Sequence, residues 1–210
     1  MADALSLSSP VSQSFERRGT TLARVISDVL SPATLGFPCL VLGVMASDVP
    51  GTYLYALLYC AVAIPLPLCY VIWLLKSGRV DDFHLPDRRD RTGPFLVAIG
   101  AALLAIGLLF YLGAPMIFMV PVLAAFTQTL ILFLITLAWQ ISIHTAMTAG
   151  LVAYAILALG SAGSILAPVV PLVAWARIHL GRHTLPQTVA GALLGCATFT
   201  TIFALRGIVW

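Results

Sequence analysis

Histidine and arginine are concentrated in three short polar links of this 210-residue chain. The links are 76–93 (KSGRVDDFHLPDRRDRTG), 140–144 (QISIH) and 177–183 (RIHLGRH). They hold all four histidines, His84, His144, His179 and His183, and seven of the eleven lysines and arginines. Imidazole can serve as a nucleophile or an acid–base group near neutral pH. Guanidinium forks match the oxygens of a phosphate. A set rich in both suits chemistry on an anion, and phosphate most of all. Topology alone needs charge and does not explain the imidazoles. All eight acids lie at or before Asp90, and none occurs from Arg91 to Trp210. A paired-carboxylate magnesium site is therefore not expected. Cys39, Cys60, Cys69 and Cys196 fall in apolar runs without metal-site spacing and are expected to be buried thiols. No metal, cofactor or nucleic-acid partner is expected.

The elements that must position these groups are transmembrane helices. The chain is 60% apolar and 9% charged, against about a quarter charged in a soluble domain. Apolar stretches of spanning length or near it occupy 30–47, 53–75, 94–113, 116–138, 145–160, 165–176 and 184–205. The expected fold is all-α, a polytopic transmembrane bundle of about six to seven spans. Residues 1–29 form a polar N-terminal segment, and 30–210 form the membrane domain. The stretch 165–176 is short and carries Pro168 and Pro171, so it is expected to be kinked or tilted. No secretory signal is expected, because the first 25 residues are polar.

With seven spans, the N-terminus and the three polar links share one side, which carries ten of the eleven basic residues. The positive-inside rule makes that side cytoplasmic. Trp73, Trp139 and Trp175 stand just before the links, as interfacial anchors do. The N-terminal segment is accordingly expected in the cytoplasm.

The string 176–195, ARIHLGRHTLPQTVAGALLG, resembles the third signature of the type 2 phosphatidic acid phosphatase (PAP2) superfamily of lipid phosphate phosphatases. That signature is Ser-Arg, five residues, His, three residues, Asp. Arg177 and His183 stand at its spacing. The second signature, Pro-Ser-Gly-His, is similar to Ile141-Ser142-Ile143-His144. The first, Lys, six residues, Arg-Pro, is similar to the run from His84 to Arg91 and Thr92. The resemblance spans 84–195. It departs from the pattern at Gln187 for Asp, Ala176 for Ser, His84 for Lys, Thr92 for Pro, and Ile141 and Ile143 for Pro and Gly.

The resemblance implies a metal-independent membrane phosphatase acting through a phosphohistidine. His183 would be the nucleophile and His144 the acid–base group. Gln187 would orient His183 from one helical turn away. Arg177, Arg91, Arg88 and Ser142 would bind the phosphoryl oxygens. The substrate would be a lipid or isoprenoid phosphate or diphosphate, with its tail among membrane lipids. Thr184 is a candidate cap for the last helix, whose N-terminus also favours an anion. Gly191 and Gly195 form a GxxxG contact face. His179 reads as an interfacial residue and Arg182 as a headgroup contact. Acids of the first link pair with Arg88, Arg89 and Arg91 in a reading of that link as a lid.

Two other functions fit less of the chain. The departures from the signatures are compatible with a silent PAP2-like subunit that binds lipid or a partner protein. The spacing VDDFHLPDRRDR faintly resembles the first acidic motif of membrane prenyltransferases, but no second acidic motif follows.

Overall fold

The computed structural model of the chain describes residues 10–81, 85 and 89–209. His84 and Arg88, both singled out above, lie outside the described residues, as do Asp82 and Asp87.

All regular structure described is helical. In chain order the helices are α1 (Pro10–Val29), α2 (Pro32–Met45), α3 (Thr52–Ala63), α4 (Pro65–Lys76), α5 (Thr92–Tyr111), α6 (Met116–Thr136), α7 (Ile143–Leu159), α8 (Val169–His179) and α9 (Leu185–Val209). Short 3-10 turns precede α5 at Arg89–Arg91 and α8 at Gly160–Leu166. Proline sets several boundaries, because it fits a first helical turn and interrupts the turn before it. Pro32 opens α2, and Pro65 separates α4 from α3.

Five helical stretches are long and apolar enough to cross a membrane, or six if Gly19–Val29 and Pro32–Met45, bent by 48°, count as one. This is a multi-pass membrane protein. The expectation of up to seven spans is corrected at 165–176. There α8 has 11 residues, or about 16 Å, against a hydrocarbon core of about 30 Å. Pro168 does not kink a helix there but caps α8. The return toward the polar face begins earlier. At Gly160 the backbone takes φ +63°, and the following 3-10 turn folds back until Gly163 packs on the Ala155 carbonyl. The 3-10 turn and α8 both pack against α7.

Apolar side chains face outward as well as inward, as lipid contact requires. Leu54, Leu57, Leu103, Leu134 and Leu193 are all exposed. Cys69 and Cys196 are exposed too, and only Cys39 is buried. The expectation of four buried thiols is corrected on this point, since apolar sequence does not separate lipid-facing from core-facing positions. Trp73, Trp139 and Trp175 are exposed beside the polar links.

The centre of the bundle is α7, where Ala146, Ala149, Tyr154 and Ala155 are buried. Its most extensive partner is α9. Gly191 and Gly195 face α7 at a distance no side chain tolerates. A Cβ would strike the Ser142 carbonyl from Gly191, and the Ala146 carbonyl from Gly195. These glycines therefore set how closely the starts of α7 and α9 approach. His144 lies in the first turn of α7, and His183 lies just before α9.

The N-terminal helix is part of this packing. Ala23 and Ser27 of α1 are buried on the side that meets α8. Leu22, Val25 and Val29 form a second, exposed apolar face, and Thr21, Arg24 and Asp28 form an exposed polar one. Three faces at helical spacing fit a helix placed between protein, lipid and water.

Candidate active site

The segment from Arg177 to His183 folds locally into one unit. The helix α8 ends at Leu180, and Gly181 follows at φ +65°. A left-handed residue at this position costs glycine least. The turn sends the chain back over the helix end. The backbone N–H groups of Arg182 and His183 then both donate to the Arg177 carbonyl, at 3.0 and 3.3 Å. The six-residue spacing is thus one helix end plus one reversal, and it holds the Arg177 and His183 backbones together.

His183 is next fixed by Gln187. The Gln187 Oε1 accepts from the Thr184 backbone N–H at 2.9 Å. This is the return half of a capping box, with Thr184 before the first turn of α9 and Gln187 three residues on. A backbone N–H can only donate, so it settles which end of the amide is oxygen. The same Oε1 lies 3.3 Å from His183 Nδ1. An amide oxygen can only accept, so Nδ1 carries the proton and Nε2 keeps its lone pair. Burial, then the charge of Arg177 and of Arg91, push the His183 pKa down to about 4, against a smaller upward pull from Gln187. At neutral pH His183 is an uncharged imidazole.

His144 comes from the other polar link. Ser142 caps α7, its Oγ accepting from the Thr145 N–H at 3.4 Å. The Ser142 N–H donates to the Gln187 carbonyl at 3.1 Å, which ties the start of α7 to the start of α9. Ser142 is fully buried at this joint and is not among the residues that line the cavity. Its hydroxyl is a helix cap here.

Two buried guanidiniums complete the set. Arg91 Nε donates to the Leu85 carbonyl at 2.7 Å. The Gln140 amide lies against both terminal nitrogens of Arg91, and with its oxygen facing them, the orientation that satisfies both groups, it accepts from them at 2.8 and 3.2 Å. Arg177 Nη1 donates to the Ser27 Oγ at 2.8 Å. Ser27 stands 150 positions earlier in the chain and was not singled out by its sequence setting. Gln140 sits in a recognised polar link, but nothing in its spacing marks it as the partner of Arg91.

Arg91, His144, Arg177 and His183 line one cavity of about 360 Å³. They arrive from three separate stretches of chain. No Asp or Glu lines it among the described residues. Asp81 is exposed, and Asp90 does not line the cavity. Two basic side chains and two imidazoles in a space without acids among the described residues favour a bound anion electrostatically. Among the described residues no group of His, Cys, Asp and Glu is arranged to hold a metal ion. His179 and Arg182 are exposed outside the cavity, and His179 stacks on Trp175 at 5.3 Å.

No family model, curated protein or solved structure matches the chain.

Proposed function

We propose that the protein is a membrane-embedded, metal-independent phosphatase acting on a lipid or isoprenoid phosphate or diphosphate. The observation that carries the reading is the shared cavity of Arg91, His144, Arg177 and His183. These four are among the residues that the PAP2 resemblance assigns to phosphate binding and to the two chemical steps.

The mechanism follows from their chemistry. Arg91 and Arg177 hold the phosphoryl oxygens and stabilise charge as it redistributes in the transition state. His183 Nε2 attacks phosphorus and forms a P–N bond. The P–O bond to the leaving group breaks, and its electron pair goes to that oxygen. His144, protonated at the start of this step, gives it a proton. In the second step a water attacks the phosphohistidine, and His144 takes the water's proton. The P–N bond breaks, inorganic phosphate leaves, and His183 is again neutral. Gln187 holds the Nδ1–H throughout.

The concentration of basic residues in the polar links supports a cytoplasmic site under the positive-inside rule. A catalytically silent, lipid-binding subunit is the second reading. It is favoured by Gln187, which already serves the α9 cap and brings no charge to the imidazolium.

The test is phosphate release by purified protein in detergent or liposomes with chelator present. Phosphatidate, prenyl phosphates and prenyl diphosphates would be compared for wild type and His183→Ala. Release by wild type and its loss in the variant are expected. Equal release by both would reject the mechanism. Binding of the lipid phosphates without release by either would support the silent subunit.

A further inference from the structure

A second cavity, of about 380 Å³, lies against the first and shares six of its walls: Pro32, Ala33, Pro67, Ala98, Thr129 and Met147. From these the lining moves along α5, α6 and α7 away from the basic end. On α5 it passes from Ala98 to Ala102, on α6 from Thr129 through Phe126 to Val122, and on α7 from Met147 to Leu151. Leu40 of α2 and Tyr59 of α3 also line the far part. The lining is apolar, and the Thr129 hydroxyl is spent on the Ala125 carbonyl of its own helix at 2.8 Å.

The depth and volume set the size of an occupant. From Leu132 to Pro121, both cavity walls, a helix rises about 16 Å, about half the hydrocarbon core of a bilayer. A cavity of about 150 Å³ takes the six carbons of a benzene ring. On that scale the second cavity takes about 15 carbons. That is the size of one hydrocarbon chain.

There is also a way in from the side. The helix α2 packs on α3, α6 and α7, and α4 packs on α3 and α5, but α2 and α4 do not form an extensive contact with each other. Pro32 with Ala33 and Pro67 with Leu68 line the cleft from these two helices. A chain can therefore slide in from the membrane without leaving apolar surroundings. These walls on α2, α3 and α4 lie outside residues 84–195, the stretch that carries the family resemblance.

We propose that this cleft is the binding site for a single hydrocarbon chain of about 15 carbons, whose phosphate head sits at Arg91, Arg177 and His183. The inference rests on the phosphate site described above and narrows its substrate to single-chain amphiphilic phosphates, saturated or isoprenoid. The chain is measured by the cleft floor, and Ala102 is the position where added bulk shortens it.

The first arm of the test does not depend on turnover. A pentadecyl phosphonate with a diazirine at its far end is photolysed with the full-length protein in liposomes. Labelling of the α3, α5 and α6 segments around Tyr59, Ala102 and Phe126 is expected, and unlabelled pentadecyl phosphate should compete it away. Labelling spread over the lipid-facing Leu134 and Leu193, or competed equally by a diacyl phosphatidate or by pentadecanol, overturns the proposal. Ordinary bilayer lipid is then the occupant.

The second arm reads phosphate release across alkyl phosphates of increasing length. Relative to an eight-carbon substrate, Ala102→Phe is expected to lower kcat/KM for the fifteen-carbon one about tenfold, the effect of displacing roughly two buried methylenes. Ala98→Phe, at the neck, gives the same direction at shorter lengths. Release by wild type with a flat length profile sinks the cleft and leaves the phosphatase standing. Competed labelling of the cleft with no release at any length sinks the phosphatase and leaves the cleft standing.

Discussion

Ser27 on the N-terminal helix and Arg177 at the end of α8 are joined by a 2.8 Å hydrogen bond from Nη1 to Oγ, with Ser27 almost fully buried. The resemblance puts a serine directly before the phosphate-binding arginine, where this chain has Ala176. A hydroxyl reaches the same guanidinium from another element. It orients Arg177, and it links the N-terminal helix to the cavity.

Ser27→Ala is therefore expected to weaken substrate capture. A hydrogen bond to a charged group contributes about 1.5–3 kcal/mol, which corresponds to a loss of about tenfold to a hundredfold in kcat/KM. The loss should fall mainly on KM, and Ser27→Thr should restore most of it. Steady-state kinetics of the two variants on one lipid phosphate decide the matter. A loss confined to kcat, or no rescue by threonine, would remove Ser27 from the positioning of Arg177.

Gln187 has two duties, capping α9 and holding His183 Nδ1. Gln187→Glu retains both and adds a charge beside the imidazole, where charge-assisted bonds are roughly twice as strong as neutral ones. The His183 pKa is expected to rise and kcat to increase several-fold. Gln187→Ala loses both duties and should lower kcat and the melting temperature together. Imidazole titration by NMR with kcat measurement checks this. A Glu variant with lower kcat and an unmoved titration would contradict it.

The depressed His183 pKa of about 4 also gives a sign for pH dependence. Between about 4 and the ordinary histidine value of about 6.5, the unfolded chain binds a proton that the folded chain excludes. The contribution of His183 thus makes stability rise with pH across that window and fall as pH drops through it. Below about 4 the penalty is complete, and above about 6.5 it vanishes. His183→Gln should flatten this part of the unfolding profile. The acid limb of kcat/KM set by the nucleophile should lie well under pH 6. A His183-dependent limb near 6.5 would show a solvated, ordinary histidine.

Close approach of α7 and α9 is expected to limit both stability and activity. Gly195→Ala places a methyl against the Ala146 carbonyl, and overpacking of this kind costs about 1–3 kcal/mol. Gly100→Ala meets nothing within 4 Å and serves as the control. Thermal unfolding in detergent should drop for Gly195→Ala alone, with phosphate release falling alongside. Equal behaviour of the two variants would show that the glycine face does not set the His144–His183 spacing.

Legibility from sequence followed the range of the contacts. Arg177 and His183 are tied by one helix end and Gly181, so their spacing is visible in seven consecutive residues. The GxxxG on α9 is equally local. His144 and Arg91 are brought to the same cavity by helix order, which apolar stretches reveal without showing lateral packing. Ser27 was hidden because its partner is far along the chain and its segment reads as polar. The short α8 was overcounted as a span because a 3-10 turn supplies part of the return. Cys69 and Cys196 show the same limit, since lipid and protein core ask for the same residue types. Ser142 kept its place in the link, but its hydroxyl went to the helix end instead of the cavity.

In the proposed mechanism His183 carries the phosphoryl group. The direct measurement is a rapid quench of wild type, with chelator present, after mixing with a lipid phosphate labelled on phosphorus. The account expects a phosphoryl-protein stable in base and labile in acid, mapped to the peptide containing His183 and absent from His183→Ala. Phosphate release at full rate with no such adduct, or an adduct on another residue, would contradict it.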